Sequence, residues 1–308
     1  MSSYQANIER AIVNTVSYVD AFDYPLTAAE IHRYLVGLPL SPQKVQQALG
    51  HGLLIPDRLG ASGDFYMLPG REDVAELRRQ RQAVADRLWP EAARYGALIA
   101  RAPFVRMVAV TGSLAVNNVT HEDIDYLIVT ANDRLWVCRA FVILIVRWAA
   151  RRGLELCPNY FLTERALRFS QQNLYTAHEV TQMVPLYGRA VYETLRRVNA
   201  WTYRYLPNAA GPPALSSTPW PFSPAPFTGR AILEATLRTR AGRWLDQWEM
   251  ARKTRRFRKS HAGQVSSLLE ASFSPDSCKG HFNLHQQRTM RAYQLRTAGE
   301  SGGAGEQG

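Results

Sequence analysis

The run VAVTGSLAVNNVTHEDIDYLIVT, residues 108–130, carries the side chains best placed for chemistry. Asp123 and Asp125 bracket Ile124, and residues two apart on a strand point to the same side, so their carboxylates can converge on one cation. Mg²⁺ takes oxygen ligands and usually binds through one or two carboxylates plus substrate phosphates. Ten residues before Asp123, Gly112 and Ser113 end a strand-like stretch. Glycine lets the backbone come close to a ligand. The N–H groups and the Ser113 hydroxyl at the start of a helical turn then face a phosphate, where the helix dipole also favours negative charge. Two carboxylates beside such a turn suit metal-assisted phosphoryl transfer, with one metal on the phosphates and a second activating the attacking hydroxyl. A plainer reading makes Asp123 and Asp125 a polar start to a strand with a capping role. Ser113 as a simple N-cap is compatible with phosphate binding, and His121 reads as a surface loop residue.

Positioning these groups takes two strands. FVRMVAVT, Phe104 to Thr111, has strand composition, and IDYLIVT, Ile124 to Thr130, forms the second. The arrangement resembles the nucleotidyltransferase superfamily of the polymerase-beta type, in which a strand, Gly-Ser, a short helix and Asp-x-Asp opening the next strand follow in order. Gly112, Ser113, Asp123 and Asp125 match that pattern, and the likeness covers roughly Phe104 to Thr163. It implies Asp123 and Asp125 as catalytic ligands of Mg²⁺ or Mn²⁺, Gly112 and Ser113 as holders of a nucleoside triphosphate, and transfer of a nucleoside monophosphate to a hydroxyl acceptor. That family carries a third carboxylate on a later strand. Here the later strand is PNYFLT, Pro158 to Thr163, with Asn159 where the acid is expected and Glu155 just upstream. A neutral amide does not take up a proton near pH 7. The family's Arg after the serine is also missing, so Asn117 or Asn118 would serve in its place.

The remaining chain supplies the frame. From Ile8 to Gly70, three helical segments precede a short hairpin, the order of a winged helix-turn-helix. Thr27 and Glu30 stand at capping-box spacing, and Ser41 with Pro42 opens the next helix. That helix would present Gln43, Lys44, Gln46 and Gln47 to DNA or to a protein. Asp73 to Ala102 reads as a helix with Arg78, Arg79, Arg81 and Arg87 on its wet side. Arg134 to Arg152 is an apolar helix too interrupted by Arg139 and Arg147 to span a membrane, which needs roughly 20 apolar residues. Helix-like sequence runs from Tyr175 to Tyr205. Pro207 to Phe227 is a proline-rich linker, Gly229 to Lys259 a basic helix, His281 to Leu295 another, and TAGESGGAGEQG a tail expected to lack order.

The chain has 308 residues and a net charge of +11, with a pI near 9.8. Such a balance draws polyanions. Nine cations crowd Arg238 to Lys259, interleaved with Trp244, Trp248 and Phe257. Cations with aromatics suit single-stranded or structured RNA; the preferred reading is a solvated helix whose tryptophans pack on the catalytic domain. Cys138, Cys157 and Cys278 match no zinc spacing, and their odd number argues against a disulfide framework. Cys278 with His281 and His285 lacks a fourth zinc ligand. The amino terminus has no signal-peptide layout, which points to a cytoplasmic protein. The expected architecture is α+β: a nucleotidyltransferase fold, a mixed sheet flanked by helices, over 73–206, preceded by a winged helix over 1–72. A linker at 207–228, a basic helical region at 229–297 and a tail at 298–308 follow. The rival expectation is a catalytically impaired nucleotide-binding or DNA-binding regulator. Nucleic acid is the further partner that the winged helix and the basic segment suggest.

Overall fold

The computed structural model describes residues 3–50, 52, 54–213, 228–260, 272–279 and 285–301. The structure is mixed α and β, with one mixed sheet flanked by helices. The amino-terminal part is α1 (Ser3–Asp20), α2 (Ala28–Arg33), α3 (Pro42–Gly50) and a hairpin of β1 (Gly60–Ser62) and β2 (Phe65–Met67). Thr27 caps α2 through the expected reciprocal box, its side chain accepting from Glu30 N while Glu30 Oε2 accepts from Thr27 N at 2.8 Å. Lys44 N donates to Ser41 Oγ at 3.4 Å, so Ser41 begins α3 as its type suggested.

The sheet follows α4 (Val74–Ala100) and contains β3 (Val105–Val110), β4 (Asp123–Thr130), β5 (Glu155–Thr163), β6 (Val184–Tyr187), β7 (Ser272–Phe273) and β8 (Ser277–Lys279). Its order is β6-β3-β4-β5-β8-β7. β4 and β5 are parallel and the other pairs antiparallel. The single-turn α5 (Gly112–Ala115) joins β3 to β4, and α6 (Leu135–Ala150) is the crossover to β5. Alternate residues divide between two cores, as strand periodicity demands. Ile124, Tyr126 and Ile128 face α4 and α6, while Leu127 and Val129 face α7 (Leu174–Gln182) and α8 (Arg189–Val198). The amino-terminal core also takes in Leu174, Ala177, Trp201, Leu206 and Ala209, which binds those helices to α7. There His178 stacks on Tyr18, ring centroids 4.2 Å apart.

Several expectations need correction. Tyr175 to Tyr205 is not continuous helix: β6 interrupts it. Pro185 cannot donate within a helix, and the outer side of β3 offers an edge where a proline is tolerated. Gly188 then turns the chain at φ 81, where a Cβ would overlap Arg106 O. β5 begins at Glu155 rather than Pro158. The basic stretch is two helices, α9 (Thr228–Leu237) and α10 (Arg240–Ser260), because each docks separately. Glu234 accepts from Phe104 N at 2.8 Å, and Asp246 accepts from Val137 N at 2.8 Å at the open start of α6. The carboxy-terminal part also supplies the β7–β8 hairpin, which the sequence reading missed, and α11 (His285–Ser301) carries helix into the tail. Residues 214–227 of the linker, His281 and the last residues, 302–308, lie outside the described residues. Among the described residues no helix is long and apolar enough to cross a membrane.

Candidate functional site

β4 delivers Asp123 and Asp125 at its first turn of pleat, on the face that Leu127 and Val129 share with α7 and α8. The two carboxylates therefore lie on one side, as the spacing required. Neighbouring β5 runs parallel, with Glu155 opposite Asp123 and Cys157 opposite Asp125. The register then slips: Leu127 faces Tyr160, so β5 fits one extra residue between these pairs. Pro158 sits in that bulge, where its missing N–H costs no ladder bond. Asn159 shares the side of Cys157 by strand alternation, and its Nδ2 donates to Asp125 Oδ1 beside the slip.

The Gly112 turn closes the notch from the β3 side. Thr111 N donates to Asp125 O at 3.0 Å. Gly112 has φ 66, and a Cβ there would overlap the Asp125 carboxylate. Glycine is needed on both counts. Ser113 is half-buried beside it. α5 has only four residues, so its summed dipole is small; a phosphate would be held by N–H groups and the Ser113 hydroxyl. Gly112→Ala is expected to cost about 1–3 kcal/mol of stability and to weaken divalent-metal binding roughly 10-fold or more by displacing Asp125. Denaturant unfolding and a Mn²⁺ titration measure the two effects, and native Mn²⁺ affinity in the folded variant would count against this contact.

The electrostatics suit a cation. Burial raises the Asp125 carboxyl to about 7, and every charged side chain that shifts it (Asp123, Glu179, Glu155) is another carboxylate. Carboxylate oxygens of Asp123 and Asp125 and the Cys157 Sγ lie within 4.8 Å of one another. Burial, then Asp123 and Asp125, push the Cys157 thiol up to about 12. It is protonated at neutral pH and is a poor partner for a hard cation. The oxygen pair of Asp123 and Asp125 could hold a hard divalent cation.

Other site residues do different work from that expected. Asn117 Oδ1 accepts from Trp89 Nε1 at 2.7 Å, so that oxygen is committed to the scaffold. Asn118 is buried and bonded to Phe22 O and Arg81. Arg78 and Arg81 are not on a wet face. Arg78 is 4% exposed, donates to Val116 O at 2.8 Å and Asn117 O at 2.6 Å, and pairs with Glu30 at 3.0 Å. It ties the loop after α5 to α2, where unpaired carbonyls attract a guanidinium. Glu179 was missed; its charge is felt at Asp125 because α7 packs over this face. Only its position on a helix with a buried inner face hinted at that. His121 is exposed in the loop, as read.

Comparison of the chain with known protein families, with curated proteins and with solved structures gave no match.

Proposed function

We propose that the chain is a metal-dependent nucleotidyltransferase that moves a nucleoside monophosphate from a nucleoside triphosphate to a hydroxyl acceptor. The observation that carries this reading is the convergence of Asp123 and Asp125 against the Gly112 turn, with Gly112 in contact with Asp125. Bound by these two carboxylates, Mg²⁺ or Mn²⁺ would neutralise the triphosphate and stabilise the charge that builds on it. The Gly112 and Ser113 N–H groups and the Ser113 hydroxyl hold the phosphates. The acceptor oxygen bonds to the α-phosphorus, the bond from that phosphorus to the bridging oxygen breaks, and pyrophosphate leaves. Asn159 takes no proton, so the acceptor's proton passes to Glu155 or Glu179, the further carboxylates whose charge reaches Asp125. In this reading the sheet is a nucleotidyltransferase fold and the first five elements a winged helix-turn-helix in the cytoplasm. Gln43, Lys44, Gln46 and Gln47 are exposed on α3 to meet a partner.

The hydrogen bond from Asn159 to Asp125 favours a second reading, nucleotide binding without transfer by a DNA-binding regulator. Incubation with labelled nucleoside triphosphates and Mg²⁺ separates the two. Turnover with pyrophosphate release, lost in excess chelator and restored by Mg²⁺ or Mn²⁺, is the expected result. Binding without turnover in the native chain, with activity gained in Asn159→Asp, would replace the first reading by the second.

A further inference from the structure

We infer that the outer face of α10 is a binding surface for single-stranded nucleic acid, separate from the acid notch and independent of whether that notch transfers nucleotides. The helix carries eight cations and two acids. Both acids are turned inward. Asp246 is 7% exposed and accepts from Val137 N, and Glu249 is 4% exposed and bonded to Arg252 and Arg139. What remains outside is cationic and aromatic. Trp244, Trp248, Arg252, Arg255 and Lys259 recur at helical spacing along one exposed stripe, roughly 22 Å long at 1.5 Å per residue.

The tryptophan packing on the sheet domain preferred from sequence is only partial: Trp248 edges a hollow shared with Ala140, Phe141, Leu144 and Arg147 of α6, while both indoles keep large exposed faces. Trp244 is 64% and Trp248 48% exposed. Their rings lie 6.4 Å apart at 20° to each other, with the Arg252 guanidinium 5.7 Å from the Trp248 ring. Phe257 packs against Phe273. Exposed indoles in water are unfavourable unless something covers them. A hollow of about 340 Å³ lined by Arg252, Arg255, Arg256 and Lys259 continues the stripe. Near-parallel aromatic faces leading into clustered guanidiniums match a strand of stacked bases with a phosphate backbone. An acidic peptide or a lipid surface would use the charge without needing two aligned ring faces.

The test is fluorescence anisotropy of labelled single-stranded RNA and DNA with the full chain, in chelator and without nucleoside triphosphate, so that the acid notch is not read. Trp244→Ala with Trp248→Ala is expected to weaken binding roughly 10- to 100-fold, while Trp244→Phe with Trp248→Phe stays within a few-fold of native. Arg255→Glu with Lys259→Glu is expected to flatten the dependence of affinity on salt. Native affinity in the folded alanine pair overturns the inference. So does binding of the native chain to mixed phosphatidylcholine and phosphatidylserine vesicles, or to an acidic peptide, but to neither oligonucleotide.

Discussion

Asp123→Ala is expected to lower nucleotidyl transfer by about 10³-fold or more, the scale on which a metal's stabilisation of transition-state charge is lost. In the proposed site two carboxylates would hold the cation, and with one removed Mg²⁺ would keep a single protein oxygen beside waters and phosphates. The fold should change little. Asp123 is half-buried, and its charge is the largest carboxylate contribution to the raised Asp125 pKa. Removing it relieves repulsion, so stability should stay within about 1 kcal/mol of native. Labelled product formation under single-turnover conditions reads the first effect and urea unfolding the second. A well-folded Asp123→Ala chain that turns over at the native rate would remove the metal site from the mechanism.

The second large effect is on stability in acid. Burial pushes the His178 imidazole down to about 3. Its Nδ1 meets Gln182, its ring stacks on Tyr18, and Nε2 has no hydrogen-bond partner. In the unfolded chain the same group titrates near 6.5. Below that value the unfolded chain binds a proton that the folded chain refuses, so stability falls as pH drops from 6.5 towards 3. Above 6.5 both states are neutral and the penalty is absent. The full window is worth on the order of 4–5 kcal/mol, and roughly 3 of these are lost by about pH 4. His178→Phe keeps a ring against Tyr18 but cannot titrate. Its urea midpoint should therefore fall much less than that of the native chain between about pH 7 and pH 4. Equal acid loss in both chains would mean that His178 is protonated where it sits.

How much of this was legible depends on the range of the interaction. The β3–α5–β4 passage could be read because strand alternation, a glycine with positive φ and two acids at spacing two are all local. The Thr27–Glu30 box was legible for the same reason. Asn159 lies against Asp125, but the bulge beside it arises from register against β4, which no window of β5 contains. Arg78 looked solvent-facing because it lies among other arginines on α4. Its partners, Glu30, Val116 and Asn117, come from elsewhere in the chain. β6 was mistaken for helix because MVPLYG reads as apolar helix continuing from α7; the edge of β3 decides otherwise. Glu179 could not be assigned to the site before α7 was known to cover that face.

β8 has a role out of proportion to its three residues. It pairs with Tyr160, Phe161 and Leu162, the stretch of β5 immediately after the bulge. Asp276 closes the corner, accepting from Thr163 N at 3.0 Å and from Thr163 Oγ1 at 2.8 Å. A fragment ending at the proline-rich segment would strip that clamp away. It would bare a row of unsatisfied peptide groups on β5, an invitation to self-association, and would loosen the strand immediately after Asn159. The far end of the chain is thus part of the frame around the candidate site, and proteolytic trimming before residue 272 should be read as damage to that frame rather than removal of an appendage.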